Sequence, residues 1–214
     1  MEWGGRTSWA ISENKQSVEM EWNGMSVAHR RKKQPELVRS QLLQSAADIA
    51  IEQGVQAVTM DSVSQHAGVS KGALQYHFPS KLKLLDAVFD EVSEATANAL
   101  NKVIANDPQG YGRQARAYLK VTATEASETR YQSIWRALLA AMVAEPKIRE
   151  RWARQLQRMN QPDPLPVAEA ARLMICRLAA EGIWITELLG SVEMNSELKA
   201  EVIQQLEKMT TESS

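Results

Sequence analysis

Residues 59–81 read TMDSVSQHAGVSKGALQYHFPSK. Thr59, Ser70 and Ser80 can each cap a helix, and Gly68 interrupts the chain between the first two caps. The pattern predicts two short helices joined by a tight Ala-Gly-Val-Ser turn, with a third helix starting after the proline. Such a pair forms a helix-turn-helix, whose second helix enters the major groove of DNA. A helical hairpin with a solvated polar end is the alternative that this pattern leaves open.

The second of these helices carries side chains suited to binding DNA. Its hydrogen-bond donors for phosphates or base edges are Lys71, Gln75, Tyr76 and His77. Gly72 leaves no side chain between this helix and its target, and Gly68 permits the positive φ that the turn requires. Lys81 and the amides at the start of the next helix can bind a further phosphate.

Over about residues 36–92 the chain closely resembles the DNA-binding signature of the TetR family of repressors, on the stretch quoted above. The resemblance implies a three-helix DNA-binding domain leading into a long fourth helix, with Leu74 and Phe78 in its core. It implies phosphate contacts by Thr59, Tyr76, His77 and Lys81, and base contacts by Lys71, Ala73 and Gln75 beside Gly72. Many members have Ile-Ala in place of Val63-Ser64, and often a tyrosine in place of Gln75. The operator preference of relatives therefore does not transfer to this chain.

Helical periodicity continues on both sides of the motif. Upstream, Val38, Leu42, Ala46 and Ile49 share one face of a helix expected to start near Pro35 and to stop at Gly54. Downstream, Leu82, Leu85, Phe89 and Val92 share a face of a long helix that ends at Asn106-Asp107-Pro108. Two further faces follow on either side of Pro146: Tyr131, Trp135, Leu138 and Met142, then Ile148, Trp152, Leu156 and Met159. Residues 167–189 are apolar on most faces, and Leu198, Val202, Leu206 and Met209 mark a last helix.

We therefore predict an all-α fold, in which an N-terminal three-helix helix-turn-helix domain is joined by a long helix to a helical ligand-binding and dimerisation domain. The expected boundaries are 29–83 for the DNA-binding domain, with its motif at about 59–78, and 84–214 for the second domain. Residues 1–28 are expected to be a disordered extension or the product of a mis-assigned start, with Met25 as the natural start. The basic cluster at residues 29–33 is either a solvated tail or an arm that follows DNA.

Composition and charge support this organisation. The chain has 214 residues, 44% of them hydrophobic, and a single cysteine, Cys176, which excludes an internal disulfide and favours a reducing, cytoplasmic location. The net charge of −1 conceals an uneven distribution, since residues 29–83 hold eight Lys or Arg against four Asp or Glu. No apolar stretch is long enough to span a membrane. The three histidines lack metal-ligand spacing and no phosphate-binding glycine loop occurs, so we expect no cofactor and no enzyme.

The second domain contains Glu181-Gly182-Ile183-Trp184, which resembles the Asp-Gly-x-Trp pattern of many TetR-family C-terminal domains. The resemblance implies a homodimer in which the last two long helices of each subunit form a four-helix bundle. Candidates for lining a small-molecule effector pocket are Trp135, Met142, Trp152, Met159, Met174, Glu181 and Trp184. For each apolar member a plain core position is the alternative, and for Glu181 it is a buried, hydrogen-bonded carboxylate. The expected function is a repressor released from a palindromic operator by such an effector, against the alternative of a helical ligand-binding dimer that has lost DNA binding.

Overall fold

A computed structural model describes residues 19–123 and 130–211, and it describes the helix but not the side chains over residues 19–34. The described residues form nine α-helices and no strand, which confirms the all-α prediction. They are α1 (Glu19–Gln53), α2 (Met60–His66), α3 (Lys71–His77), α4 (Lys81–Ala105), α5 (Arg113–Ala123), α6 (Arg130–Ala144), α7 (Pro146–Met159), α8 (Val167–Leu189) and α9 (Ser196–Thr211), with a 3₁₀ turn at Val55–Ala57. None of these helices is both long enough and apolar enough to cross a lipid bilayer.

The first helix starts well before the position that the sequence predicted. We expected Pro35 in its first turn, but α1 begins at Glu19 and contains Pro35 in its interior. The residues between are mostly good helix formers such as Ala, Arg, Lys and Gln, which favour a helix on the N-terminal side of the proline as well. Residues 1–18, most of the expected extension, lie outside the described part of the chain, and residues 19–28 belong to α1.

Three residues predicted on buried faces are exposed instead, and one of them is Tyr131 of α6, which is 43% exposed. On α4, Leu82 is 41% exposed, whereas Leu84 and Val88 are buried beside Leu85, Phe89 and Val92. Leu82 lies in the first turn of α4. The helix α5 was not predicted at all, because its inward face consists largely of alanines around Leu119 and gives a weak apolar pattern. Among the predicted members of the α9 face, Leu198 is 50% exposed, while Leu206 is buried.

A first core cluster joins the helices α1 to α4 to α6 and α7. It includes Leu42 and Ala46 of α1, Val63 of α2, Leu74 of α3 and a row of α4 side chains. Into the same cluster α6 contributes Ile134, Leu138 and Met142, and α7 contributes Ile148 and Trp152. Trp152 stacks on Phe89 of α4, with ring centroids 4.6 Å apart and planes inclined by 5°. The boundary expected at residue 83 thus runs through one continuous core.

A second core cluster is formed by α5, α8 and α9. Its buried members are Leu119, Ala123, Cys176, Ala180, Ile183 and Leu206. The Cys176 thiol donates a hydrogen bond to the Leu206 carbonyl at 3.5 Å, and burial raises its pKa, so this cysteine is an inert core residue. The long helix α4 packs on both α5 and α6 and is therefore the element shared by the two halves of the protein.

A buried ion pair fixes the turn between α4 and α5 to the end of α9. The Arg116 guanidinium donates to Asp107 at 2.8 Å, to the Thr210 carbonyl at 2.7 Å and to the Gln109 carbonyl at 2.7 Å. Gly112, with φ at +65°, lies so close to α9 that a Cβ there would be 2.1 Å from the Thr210 carbonyl oxygen. This cluster fixes the far end of α4, the end opposite the DNA-binding helices.

Candidate nucleic-acid interface

The helix-turn-helix begins with a capping box on α2. The Thr59 hydroxyl accepts a hydrogen bond from the Ser62 amide at 3.0 Å, and the Thr59 amide donates to the Ser62 hydroxyl at 2.9 Å. Ser62 also donates to the Ala57 carbonyl at 2.8 Å, which ties α2 to the preceding 3₁₀ turn. The predicted cap at Thr59 is thus confirmed, but its reciprocal partner Ser62 was not foreseen. Serine in the place of the usual Glu or Gln makes this box hard to recognise in the sequence.

The turn between α2 and α3 has the conformation that the glycine predicted. Gly68 has φ at +65°, and its amide bonds to the Gln65 carbonyl at 3.2 Å. The Val69 amide then bonds to the Ser64 carbonyl at 3.0 Å, which closes the end of α2. Ser70 caps α3 through a 3.2 Å bond from the Ala73 amide. These contacts set the angle between the two helices.

The recognition helix α3 has one anchored face and one free face. Leu74 is fully buried and Phe78, just beyond the helix, is 3% exposed, as predicted for the core. Tyr76 is 81% exposed, and Lys71, Gly72 and Gln75 are also exposed, while Ala73 and His77 are half-buried. A Cβ on Gly72 would meet only the Ser70 hydroxyl, at 3.9 Å, so the backbone here is open to close approach. The predicted base-reading residues therefore share an accessible surface.

Two lysines at this surface are held by neighbours. The Lys71 ammonium lies 2.7 Å from a carboxylate oxygen of Asp61, with both side chains well exposed. The Lys81 ammonium donates to the Gln56 carbonyl at 3.3 Å, while Ser80 caps α4 through the Lys83 amide at 3.2 Å. An ammonium has three donors, so each lysine keeps others for a phosphate. Asp61 and Gln56 are site neighbours that sequence periodicity could not indicate, because the contacts depend on how α2 packs against α3 and the 3₁₀ turn against α4.

The side chains predicted to line an effector pocket do not lie together. Met142 and Trp152 are buried in the first cluster, where Trp135 packs beside them and contacts Phe89 edge-to-face at 5.7 Å. Glu181 lies instead on α8, where its carboxylate accepts a 2.6 Å hydrogen bond from Tyr118 of the second cluster. The pKa of the Tyr118 phenol is raised above its usual range. Burial is the largest cause, and the hydrogen bond to Glu181 adds to it. Met174 and Trp184 are half-buried on α8, and Met159 is half-buried at the end of α7.

One face of α8 carries a buried arginine and a half-buried glutamate among apolar side chains. Met174, Arg177, Glu181, Trp184 and Leu188 follow each other at spacings of three and four residues, which places them on one side of the helix. Arg177 is buried and donates to Asp163 at 3.0 Å and to the Gln161 carbonyl at 2.7 Å. Its Nε has no partner among the described residues. This face offers polar and apolar groups side by side.

Two family models match this chain, and together they cover well over half of it. The model for bacterial regulatory proteins of the tetR family matches residues 42–88, and the model for a tetracyclin repressor-like C-terminal domain matches residues 112–211. The first match contains the helix-turn-helix described above, and the second contains α5 to α9.

Individual relatives are more distant. The HTH-type transcriptional regulator SrpR of Pseudomonas putida is 34% identical over 62 residues, 29% of either chain, and the chain spans less than two-fifths of the curated relatives it matches. A crystal structure of a TetR-family regulator from Rhodococcus sp. has a TM-score of 0.62 at 16% identity, over 81% of this chain and 96% of that one. The multidrug binding protein EbrR, complexed with malachite green, has a TM-score of 0.55 at 21% identity, over 78% and 96% of the chains. With both family models in chain order on an all-helical fold, the protein belongs to the TetR family of DNA-binding transcriptional regulators.

Proposed function

We propose that this regulator is a repressor that binds a palindromic operator as a homodimer and leaves it when a small molecule binds the helical domain. The observation that carries the DNA-binding part is the free face of α3, where Lys71, Gln75 and Tyr76 are exposed around the open backbone of Gly72. Because Leu74 holds this helix from behind, it can be presented to the major groove without rearrangement. A regulator of this kind works in the cytoplasm, where the DNA is.

A stripe of apolar residues on α8 supports the homodimer. Its members, Ala171, Ile175, Leu178, Gly182, Ile185 and Leu189, alternate spacings of four and three residues, the repeat of a helix that packs along a partner helix. Ile175 is 54% exposed and Leu178 is 59% exposed, so this stripe faces away from the chain's own core. A Cβ on Gly182 would meet no atom of this chain within 4 Å, which leaves room for a second backbone. We propose that α8 and α9 of two subunits pack through this stripe.

The effector is proposed to bind at the face of α8 that carries Met174, Arg177, Glu181 and Trp184. Ligand pockets are mostly apolar with a few polar groups that fix orientation, and the Tyr118–Glu181 pair and Arg177 provide such groups here. Binding of malachite green by EbrR, a protein of the same fold, supports an aromatic, drug-like ligand. The tryptophans Trp135 and Trp152, which we first expected in the pocket, would instead transmit its effect through the core they share with α4.

Selection of bound sequences from random DNA, followed by footprinting, tests the proposal. We expect two inverted half-sites whose centres lie about one helical turn, or ~34 to 36 Å, apart or a multiple of that spacing. The variant Leu178→Glu should yield monomers in sedimentation and lose the two-fold footprint, because a charge in the stripe cannot be desolvated against a partner. Val143→Glu is the matched control, since Val143 is also an exposed apolar residue, on α6 outside the stripe. Failure to select any sequence would favour a ligand-binding dimer without DNA-binding activity.

A further inference from the structure

An open groove runs between α7 and the segment in which α3 leads into α4. It has a volume of about 860 Å³ and is lined at one end by His77, Phe78 and Pro79, where α3 leads into α4. The other wall is α7, from Lys147 to Gln155. A molecule in this groove would touch both the DNA-binding domain and the body.

The groove is rich in positive charge. Its walls carry five basic side chains, Arg39, Lys83, Lys147, Arg151 and Arg154, against three acidic ones, Asp86, Asp90 and Glu150. On α7, Lys147, Arg151 and Arg154 follow at spacings of four and three residues, so they form an exposed row about 10 Å long. Basic groups from three different helices thus converge on one space.

Part of this charge is already used within the protein, and part is not. Arg151 forms an ion pair with Asp86. The Asp86 carboxylate also accepts a 3.2 Å hydrogen bond from the Trp152 indole. Arg39 lies over the Phe78 ring, with its Cζ 5.2 Å from the ring centroid. Within the described ranges Lys83, Lys147 and Arg154 form no ion pair shorter than 4 Å, although the charge of Lys83 helps to lower the Asp86 pKa. After the Asp86–Arg151 pair is set aside, four basic groups face two acids.

We propose that this groove binds a small polyanion, a molecule with two or more phosphate or carboxylate groups, at a site separate from the effector face of α8. A single anion cannot contact a row about 10 Å long and Lys83 on the facing helix at the same time, so the ligand needs several charged groups. Arginine binds phosphate and carboxylate in a bidentate manner, and the lysines add point charges. Such a ligand would compete with Asp86 for Arg151, one of the bonds that hold α7 to α4.

Phosphate groups could reach the groove from a free small molecule or from DNA that flanks the half-site. We assign the groove to the free molecule because its basic row lies on α7, outside the helix-turn-helix, and only His77 of α3 lines it. The distinction matters for the experiment, since a contact to flanking DNA would depend on the length of the duplex. A free ligand would bind in the absence of any DNA.

Titration calorimetry on the full-length protein without DNA tests the assignment, with pyrophosphate and citrate as probes and with ionic strength held constant by NaCl. We expect saturable binding that Lys83→Gln and Arg154→Gln each weaken by at least about fivefold. Lys102→Gln is the matched control, because Lys102 is exposed on the same helix as Lys83 but does not line the groove, and it should leave binding unchanged. Circular dichroism checks that all three variants keep their helical content.

Three results would overturn the assignment. The first is no saturation by either probe at millimolar concentration. The second is an equal loss in Lys102→Gln, which would show that only the general charge of the protein matters. The third is a loss of operator affinity in Arg154→Gln that appears with long flanking DNA and not with a minimal duplex, without any binding of the probes, which would assign the groove to DNA.

Discussion

At the scale of the residue, the free face of α3 is produced by a few side chains with separate tasks. Leu74 is fully buried and holds the helix, Gly68 turns the chain with φ at +65°, and Ser70 caps the first turn. These positions were predictable, because cap, turn and core residues are determined by local chemistry. The partners of Lys71 and Lys81 were not, since Asp61 and Gln56 reach them only after the helices have packed.

Gln75 and Lys81 are expected to contribute differently to DNA binding. Glutamine can bond bidentately to adenine, and such a pair discriminates by about 1 to 3 kcal/mol. Gln75→Ala should therefore relax the base preference at one position of each half-site. Lys81→Ala should weaken binding to all sequences alike and lower the salt dependence by about one phosphate per subunit. Anisotropy titrations at several salt concentrations on operator and on scrambled DNA measure both effects, and equal losses of specificity in the two variants would contradict the assignment.

Gly112 and Gly190 offer a matched pair for the effect of close packing. Both have positive φ, +65° and +58°, but a Cβ would be 2.1 Å from the Thr210 carbonyl oxygen at Gly112 and would meet nothing at Gly190. Gly190→Ala should cost about 1 kcal/mol for the left-handed backbone alone. Gly112→Ala should cost about 2 to 4 kcal/mol, because the overlap with α9 adds to that strain. Urea unfolding at one fixed protomer concentration measures both, and equal free energies of unfolding would show that α9 moves aside freely.

At the scale of the element, the sequence predicted every described helix except α5, either from an apolar face or from caps and turns. The N-terminal ends of α2, α3 and α4 lie at the Thr or Ser caps that the sequence predicted. The start of α7 lies at the proline that was expected to separate it from α6. The helix α5 buries Ala115, Ala117 and Arg116, which do not form a recognisable apolar face. The arginine is buried only because Asp107 and two backbone carbonyls surround it, and partners this far apart in sequence leave no periodic signal.

The Asp107–Arg116 pair should make the stability of this element depend on pH. The hydrogen bond from Arg116 holds the Asp107 pKa below its ordinary value, with burial opposing it. Because the folded-state pKa is lower than the unfolded one, the pair stabilises the fold above about pH 4, and this contribution is lost as the pH falls through the folded-state pKa. Asp107→Asn should cost about 1 to 3 kcal/mol at neutral pH and much less in acid. Unfolding measured from pH 7 to pH 3 checks this, and a difference between variant and parent that is independent of pH would contradict it.

At the scale of the whole molecule, the protein is built around two cores that meet along α4. The first core joins the DNA-binding helices to α6 and α7, and the second unites α5, α8 and α9. Sequence periodicity identifies which face of a helix is buried but not which neighbour covers it. For this reason the seven ligand-pocket candidates were placed together in advance, although Trp135, Met142 and Trp152 belong to the first core and Glu181 packs against the second.

This arrangement would let an effector at the proposed site on α8 influence α3. A ligand there contacts the second core, and α4 connects that core to the recognition helix at its N-terminal end. The helix α7 is held to the same part of α4 by the Trp152–Phe89 stack and the Arg151–Asp86 pair. Burial raises the Asp86 pKa, but the bonds from Arg151 and Trp152 outweigh it, so the pKa is lowered and Asp86 is charged at neutral pH. The contacts of Asp86 are therefore part of the connection between α4 and the body.

We expect an effector to weaken operator binding about 5- to 150-fold, which corresponds to a coupling free energy of about 1 to 3 kcal/mol. Operator DNA should lower the affinity for the effector by the same factor. The ligand must prefer the arrangement of the two subunits that does not fit the operator, since equal affinity for both shifts nothing. Glu181→Gln should lower the affinity of the protein for the effector. Asp86→Asn should leave effector affinity in the free protein nearly unchanged and reduce the coupling, because α7 then follows α4 less closely.

Reciprocal titration measures this coupling, with tryptophan fluorescence for the effector and anisotropy for the DNA. Glu187→Gln serves as the control for Glu181→Gln, because Glu187 lies on the same helix and pairs with Lys199 at 2.6 Å, outside the effector face. A compound that binds at Glu181 yet leaves operator affinity unchanged is not an effector, and a whole set of such compounds would exclude control through this face. If coupling survived intact in Asp86→Asn, its path would run from α5 through α4 alone, without α7.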